Sequence, residues 1–293
     1  MAARLTTTSD PTTTGPLLTA VGLGRRYGAV QALADVDLRI DPGELIAVVG
    51  DNGAGKSTFV KILAGAVQPS SGRIEIEGSP VELSSPTASR DAGIETVYQD
   101  LGLCENLTVA ENVFLGREPT KGRGPLRRID HRRMTREVRS VLATLSINVP
   151  APDAAVSALS GGQRQAVALS RCRLWRRRLV LLDEPTAALG VQESERVVQT
   201  IRDLRRDGAA IVLVSHDIPM VMALADRIVV LRKGRKAADV PTGEIGEHEV
   251  VSLITGAANH PSGQAEALEP TPSIALGGES TAGPSTPDTG RHS

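Results

Sequence analysis

Residues 50–58 have the spacing of a loop that binds the phosphates of a nucleoside triphosphate. They are Gly50, Asp51, Asn52, Gly53, Ala54, Gly55, Lys56, Ser57 and Thr58, in the pattern G-x-x-x-x-G-K-[ST]. Glycines at these positions let backbone N–H groups turn inward around the phosphates, and a helix that begins here adds the positive end of its dipole. We expect Lys56 to reach the β- and γ-phosphates and Ser57 to offer its hydroxyl to Mg²⁺.

Two acidic residues, Asp183 and Glu184, come directly after the apolar run 179–182. Such a run predicts a buried strand, and ligands of open α/β sheets lie at the carboxyl ends of the strands. We predict that Asp183 holds Mg²⁺, usually through water, and that Glu184 polarises the attacking water as a general base. The alternative is that Glu184 merely starts the next turn together with Pro185.

Two further polar residues follow predicted strands. Gln99 comes after the apolar run 96–98, and His216 comes after the run 211–214 and Ser215. Because these strand ends should converge on the phosphate loop, we expect Gln99 and His216 to sense the γ-phosphate or the metal. A lone histidine is more often structural, but its place after the acid pair favours a functional role.

A second glycine turn, at residues 159–165, predicts the start of another helix with Ser160 as its N-cap. Its central residues are Ser160, Gly161, Gly162 and Gln163. Two phosphate-binding helix starts in one chain suggest a triphosphate clamped between them, either within one chain or across a dimer. Taken alone, such a turn is usually just a helix cap.

The elements that must position these residues indicate an α/β protein. The apolar run Leu45–Val49 predicts a buried parallel strand before the phosphate loop, and residues 59–64 predict a helix after it. Residues 36–40 and 74–77 alternate apolar and polar side chains, which predicts antiparallel strands of a small second sheet.

Residues 101–157 predict a separate helical lobe. One helix should follow Asp130, a plausible N-cap, with its apolar face formed by Met134, Val138, Val141, Leu142 and Leu145. Within this lobe, residues 117–128 form a basic stretch that contains glycine and proline. We interpret this stretch as a solvated loop, with contact to a partner as the alternative.

Composition limits the class of protein. The chain has 293 residues, and 40 % of them are hydrophobic, enough for a sizeable core. Its net charge of −1 argues against nonspecific electrostatic binding of nucleic acid. Cys104 and Cys172 lie far apart, so they suggest neither a metal cluster nor a disulfide framework, and a reducing cytosol suits the chain.

No apolar run is long enough to span a membrane. Segments 1–16, which lacks the features of a secretory signal, and 258–293 should be disordered tails around a folded body at 17–257.

In this order, the motifs resemble those of the ATP-binding subunit of an ATP-binding-cassette (ABC) transporter over residues 17–257. The resemblance implies a P-loop NTPase core with a mostly parallel sheet, a small antiparallel β subdomain and a helical subdomain. It identifies residues 50–58 as the Walker A loop, Gln99 as the Q-loop glutamine, residues 159–165 as the signature, Asp183 and Glu184 as the Walker B pair, and His216 as the switch histidine. Tyr27 matches the aromatic residue that stacks on adenine in the family.

The resemblance also implies partners and cofactors. ATP and Mg²⁺ would bind between the Walker A loop of one subunit and the signature of a second, so the active form would be a homodimer or a pair with a paralogous ATPase. Residues 99–103, 110–119 and 183–193 are similar to those of monosaccharide importers of the ribose, xylose and fructose kind. The implied partners are multispanning permease subunits and a sugar-binding protein, with the chain in the cytoplasm, on the inner face of the cell membrane. Gly190 replaces the aspartate that usually communicates across the dimer.

Two other functions remain to be distinguished. One is a soluble ABC ATPase in DNA repair, translation or iron–sulfur assembly, although the sequence lacks a coiled-coil insert, zinc-like cysteine clusters and a second cassette. The other is a regulatory module that closes on ATP without turnover. Intact Glu184 and His216 argue against that module.

Overall fold

The computed structural model of the chain describes residues 15–122, 124–144, 151–175, 177–187 and 189–257. Its strands are β1 (Leu18–Tyr27), β2 (Val30–Ile40), β3 (Leu45–Val49), β4 (Ser71–Ile76), β5 (Ser79–Val81), β6 (Ile94–Val97), β7 (Thr120–Lys121), β8 (Arg128–Ile129), β9 (Leu179–Asp183), β10 (Ala210–Val214), β11 (Arg227–Arg232) and β12 (Arg235–Pro241). Its helices are α1 (Lys56–Leu63), α2 (Pro86–Asp91), α3 (Val109–Phe114), α4 (His131–Leu142), α5 (Gly161–Leu174), α6 (Val191–Arg206), α7 (Ile218–Leu224) and α8 (Glu247–Thr255). None of these described helices is long and apolar enough to cross a membrane.

The main sheet has six strands in the order β12-β11-β3-β10-β9-β6, and all neighbours are parallel except the β11–β12 pair. Strands β3, β9 and β10 are almost wholly apolar and buried at every residue, which is typical of strands covered on both faces. Phe59 of α1 packs in the same cluster as Ile46 on one face, and Ile201 of α6 packs with Val180 on the other. The parallel strands therefore end on one edge, where the polar residues follow them.

The second sheet is antiparallel, with the order β2-β1-β4-β5. Leu23 and Leu38 of this sheet pack in one apolar cluster with α1. The backbone N–H of Ala34 on β2 donates to the carbonyl oxygen of Gly234, in the turn between β11 and β12, at 2.7 Å. This bond fixes the antiparallel sheet beside the edge of the main sheet that carries the phosphate loop.

The helical lobe packs around one apolar cluster of its own. Its buried members are Val109, Ala110, Val113, Phe114, Met134, Val138, Leu142, Val156, Leu159 and Val167. Val167 belongs to α5, so the packed lobe extends beyond the predicted limit at residue 157. Ala166 and Leu169 of the same helix are buried in the cluster on the main sheet. Helix α5 therefore belongs both to the lobe and to the layer that covers the main sheet.

Several elements differ from the expectations. Strands β7 and β8 pair as a short hairpin that spans most of the basic stretch 117–128, which was expected to be a loop, and extends to Ile129. Strand β2 begins at Val30, well before the predicted strand at 36–40, and α1 begins at Lys56 rather than at residue 59. The predicted tails lie outside the described residues, apart from residues 15 and 16, and so does Leu145 of the predicted helix face.

Candidate active site

The loop after β3 has glycines at two crowded positions. Gly50 and Gly55 have φ angles of 153° and 107°, which L side chains rarely adopt. A Cβ on Gly55 would lie 2.8 Å from the carbonyl oxygen of Ala32 on β2, and one on Gly50 would press on the carbonyl of Leu231 on β11. Gly53 also has a positive φ, 78°, but a Cβ there would meet nothing within 4 Å. The loop is thus packed at its ends and open at its middle.

Helix α1 presents an uncapped N-terminus to this open side. Gly55 is the N-cap, and no side chain among the described residues caps the helix. The first-turn N–H groups and the dipole of the helix are therefore available to an anion. Asp51, Asn52 and Ser57 are exposed, Thr58 is half-buried, and Ala54 is buried. This geometry fits a phosphate group.

The side chain of Lys56 forms hydrogen bonds with the backbone of the loop that precedes it. Its Nζ donates hydrogen bonds to the carbonyl oxygens of Gly50 at 2.7 Å and of Asp51 at 3.1 Å. The ammonium group is thus held over the mouth of the loop by two backbone acceptors. A bound phosphate would replace these acceptors with charged oxygens, which form stronger bonds to an ammonium group.

The acid pair lies where β9 ends. Asp183 is the last residue of β9 and is only 9 % exposed. Burial is the main cause that raises the pKa of Asp183, and the charge of Glu184 raises it further, while Lys56 and Lys61 lower it. Glu184 has a φ of 52°, and its N–H donates to the carbonyl oxygen of Val214 at 2.9 Å. The strained turn directs two neighbouring carboxylates differently, one into the sheet edge and one into the cleft.

His216 faces Glu184 across the ends of β10 and β9. Its Nδ1 lies 2.8 Å from Oε2 of Glu184, and the imidazole side chain is 76 % exposed. The distance is that of an ion pair, but the alignment is not that of a hydrogen bond, and Oε2 has no hydrogen-bond partner within the part of the chain that the structure describes. Glu184 lines the cleft, and His216 is the side chain that can orient its carboxylate.

These residues meet in one cleft of about 580 Å³. Its walls include Gly50, Asp51, Asn52, Lys56, Gln99, Glu184, Ser215 and His216. Gln99, which is exposed, follows Tyr98, whose pKa is raised first by burial and then by the charge of Asp183. The cleft thus brings together all four predicted catalytic residues, which are Lys56, Gln99, Glu184 and His216.

Sequence reasoning missed one wall of the cleft. Val251 and Ile254 of α8 line it, together with Ala187 and Ile218. Val251 is 46 % exposed although it is apolar. An exposed valine on a helix far along the chain was the available signal, but spacing alone does not connect it to the phosphate loop.

The signature residues lie elsewhere on the molecule. Ser160 Oγ accepts from the N–H of Gln163 at 3.3 Å, and Gln163 Oε1 accepts from the N–H of Ser160 at 3.0 Å, which forms a capping box at the start of α5. Ser160 and Gly161 are exposed, whereas Gly162 is buried. Among the described residues, the cleft wall includes none of these four. One chain by itself does not bring the signature to the phosphate loop.

Tyr27 is placed at the end of β1 and is 41 % exposed. The guanidinium of Arg25 lies 4.7 Å from the centre of its ring. Tyr27 is not on the cleft wall, but β2, which pairs with β1, contacts the loop through Ala32. The ring is thus exposed on the hairpin beside the loop.

Gly190 is the N-cap of α6, and a carboxylate already occupies the space beside it. A Cβ on Gly190 would lie 2.7 Å from Oε2 of Glu193, in the first turn of α6. The same Glu193 covers Gly162, because a Cβ there would lie 2.7 Å from its Cγ. Glu193 therefore lies against both the signature turn and the start of α6.

A phosphate loop and an acid pair at one edge of a parallel sheet, with an antiparallel β subdomain and a helical lobe beside it, form the arrangement of the ATP-binding-cassette class of P-loop ATPases. A family model described as "ABC transporter" matches residues 33–187. The chain belongs to this family, which confirms the predicted fold and nucleotide-binding activity.

Two similar proteins are named as sugar import ATP-binding proteins, a narrower class than the whole family. The fructose import ATP-binding protein FrcA of Rhizobium meliloti is 46 % identical over 251 residues, which are 84 % of this chain and 96 % of FrcA. The ribose import ATP-binding protein RbsA 1 of Burkholderia cenocepacia (strain HI2424) is 39 % identical over 242 residues, which are 82 % of this chain but 47 % of RbsA 1. This chain therefore spans about half the length of that relative.

A solved structure supports the same fold. It is the dimeric post-hydrolysis state of an ATP-binding cassette bound to ADP and Pi, with a TM-score of 0.66 and 26 % identity. The alignment covers 77 % of this chain and 98 % of that one.

Proposed function

We propose that this chain hydrolyses ATP to energise the uptake of a monosaccharide through separate membrane-spanning subunits. The observation that carries the proposal is the cleft in which Lys56, Gln99, Glu184 and His216 converge. The sugar class rests on the relatives, which are named for fructose and ribose import.

The phosphate loop binds the triphosphate. The uncapped N-terminus of α1 offers N–H groups to the phosphate oxygens, and Lys56 exchanges the carbonyls of Gly50 and Asp51 for charged acceptors. Tyr27 stacks on the adenine from the β1–β2 hairpin. These contacts hold the γ-phosphate at the edge of the sheet, facing the acid pair.

Oxygen ligands suited to Mg²⁺ are present beside the loop. They are the Ser57 hydroxyl, the Asp183 carboxylate, directly or through water, and the Gln99 amide oxygen. Because burial disfavours the ionised form of Asp183, a bound cation would add to the partial compensation that Lys56 and Lys61 give this charge. Mg²⁺, when bound, neutralises charge on the phosphates.

Glu184 activates the water. Its carboxylate lines the cleft beside the phosphate loop, so it can accept a proton as the water oxygen attacks the γ-phosphorus. His216, at 2.8 Å, holds the carboxylate and reaches toward the same phosphate. The bond from the γ-phosphorus to the bridging oxygen breaks, and ADP leaves with inorganic phosphate.

A second ATPase subunit completes the site. Because Ser160–Gln163 lies outside the cleft of its own chain, we assign it to the nucleotide of a partner, which is a second copy or a paralogue. The dimeric cassette with ADP and Pi supports this assignment. Two signatures and two phosphate loops then enclose two nucleotides.

The remaining partners are membrane proteins. The Q-loop at Gln99 and the helical lobe are the surfaces that we assign to contact with permease subunits, which place this chain on the inner face of the membrane. A sugar-binding protein delivers the substrate to the same system.

Hydrolysis is tested by Glu184→Gln. We expect nucleotide affinity to be kept and phosphate release to fall by about 10²–10⁴-fold, the usual contribution of a general base. Glu82→Gln, at an exposed position away from the cleft, is the matched control and should behave as wild type. If the wild type, assayed with its membrane partner, is as inactive as Glu184→Gln, the chain is a binding-only module.

Import is tested by purifying the complex from membranes under several mild detergents. A co-purified multispanning protein, with nucleotide-dependent uptake of labelled fructose, ribose or xylose, supports the proposal. If the chain brings down no such protein, the importer function fails. Cytosolic fractionation with a ribosomal or nucleic-acid partner would favour the soluble ATPase instead.

A further inference from the structure

Glu95 is a buried carboxylate that the hydrolytic mechanism does not use. It lies on β6, is 3 % exposed, and faces two arginines. Oε1 accepts from Nη2 of Arg171 at 3.4 Å, and Oε2 lies 3.3 Å from Nε of Arg177. The second contact has the distance of an ion pair without hydrogen-bond alignment, so Oε2 and this Nε both remain unsatisfied among the described residues. A buried carboxylate is rarely left half-bonded, because doing so costs free energy.

The three side chains join elements that carry different parts of the site. Glu95 precedes Gln99 on the same strand and connecting segment. Arg171 lies in the last turn of α5, the helix that begins at the signature residue Ser160. Arg177 follows α5 and also donates to the carbonyl oxygen of Arg90 at the end of α2, at 2.8 Å. The cluster therefore connects the strand of the Q-loop with the far end of the signature helix.

Helix α5 packs on both sides of this connection, so a movement of the helix would change it. Its Val167 packs inside the lobe, while Ala166 and Leu169 pack on the main sheet. A small rotation of α5 relative to β6 would align or break the Arg177–Glu95 contact. Because both partners are shielded from water, such a change in alignment has a larger energetic effect than at an exposed pair.

We infer that Glu95, Arg171 and Arg177 form a positioning switch that couples the Q-loop to the signature helix when nucleotide binds. In this structure the Arg171 contact is aligned as a hydrogen bond and the Arg177 contact is not. Movement of Gln99 toward the nucleotide shifts β6, completes the second contact and sets the orientation of α5. The inference rests on the proposed ATP site but concerns residues that do not touch the nucleotide.

The fluorescence of one side chain can report this movement. Its single tryptophan, Trp175, is the C-cap of α5 and lies between Arg171 and Arg177 in the sequence. Phe114 contacts its ring edge-to-face at 5.4 Å, and the Arg117 guanidinium lies 5.1 Å from it. Its emission therefore reports the end of α5, with no background from a second tryptophan.

The experiment measures Trp175 emission in the full-length chain during titration with a non-hydrolysable ATP analogue. Affinity is measured separately with a fluorescent nucleotide. We expect a saturable change in the wild type that is absent from folded Glu95→Gln at saturating analogue. Because coupling is reciprocal, the nucleotide affinity of Glu95→Gln should weaken by about fivefold, the lower end of typical coupling between sites. Arg171→Gln provides a second variant in case Glu95→Gln folds poorly, and circular dichroism checks both.

The matched control is Arg178→Gln. Arg178 adjoins the cluster but pairs with Glu77 on the surface, at 2.6 Å, with side chains 57 % and 40 % exposed. It should keep the full Trp175 response. A wild type without any response, or a folded Glu95→Gln with a full response, would overturn the switch. Loss of nucleotide affinity in the wild type would instead contradict the ATP site itself.

Discussion

Two glycines of the phosphate loop provide a quantitative test of the site geometry. Both have a positive φ, 78° for Gly53 and 107° for Gly55, so alanine at either position has the conformational cost of about 1 kcal/mol. In Gly53→Ala the new methyl group meets nothing within 4 Å. In Gly55→Ala it would lie 2.8 Å from the carbonyl oxygen of Ala32 and 3.0 Å from Cδ1 of Leu33. Such overpacking adds about 1–3 kcal/mol, for a total of about 2–4 kcal/mol.

Thermal unfolding by circular dichroism distinguishes the two variants. For a domain of this size, each kcal/mol lowers Tm by about 2–4 °C, so we expect a loss of about 3 °C for Gly53→Ala and about 9 °C for Gly55→Ala. Nucleotide affinity should fall more in Gly55→Ala, because the displaced residue is the N-cap of α1. Equal losses of Tm in the two variants would refute the claim that β2 packs against the loop at Gly55.

Two other side chains give separate tests. Because burial raises the folded-state pKa of Asp183 above its unfolded value, stability is lost as pH rises from the unfolded pKa through the raised one. Asp183→Asn should therefore raise Tm of the nucleotide-free protein at neutral pH, with no gain below about pH 4, and an equal gain at every pH would contradict this reasoning. His216→Ala should lower phosphate release by about 10²-fold or more with affinity retained, since His216 orients Glu184. His248→Ala, at an exposed position on α8, is its control, and equal activity of the two would exclude the orienting role.

The parts of the fold that sequence predicted are those with local causes. An uninterrupted apolar run at Leu45–Val49 has one stable place, inside a parallel sheet, and the structure puts β3 there. Ser160 and Asp130 are the helix N-caps that their residue types indicate, because each accepts a hydrogen bond from an N–H three residues on. The convergence of the strand ends on the phosphate loop could also be predicted, because parallel strands end at the same edge of the sheet.

The parts that sequence did not predict depend on contacts between distant segments. The ion pairs of Glu95 with Arg171 and Arg177 join residues far apart in the chain, and no periodicity marks them. The same holds for Val251 on the cleft wall and for Glu193 beside Gly190. The β7–β8 hairpin was missed because its strands are two residues each, too short to show alternation.

Helix α5 makes the lobe inseparable from the rest of the molecule. Removing residues 101–157 would expose Val167 and the ring of Trp175, which now pack against that lobe. A lobe from another cassette would have to reproduce the inner surface of α5 before its outer surface could meet a new permease. Exchange of partners between transporters is therefore expected to proceed by substitutions on the solvent side of α4, rather than by transplantation of the lobe as a unit.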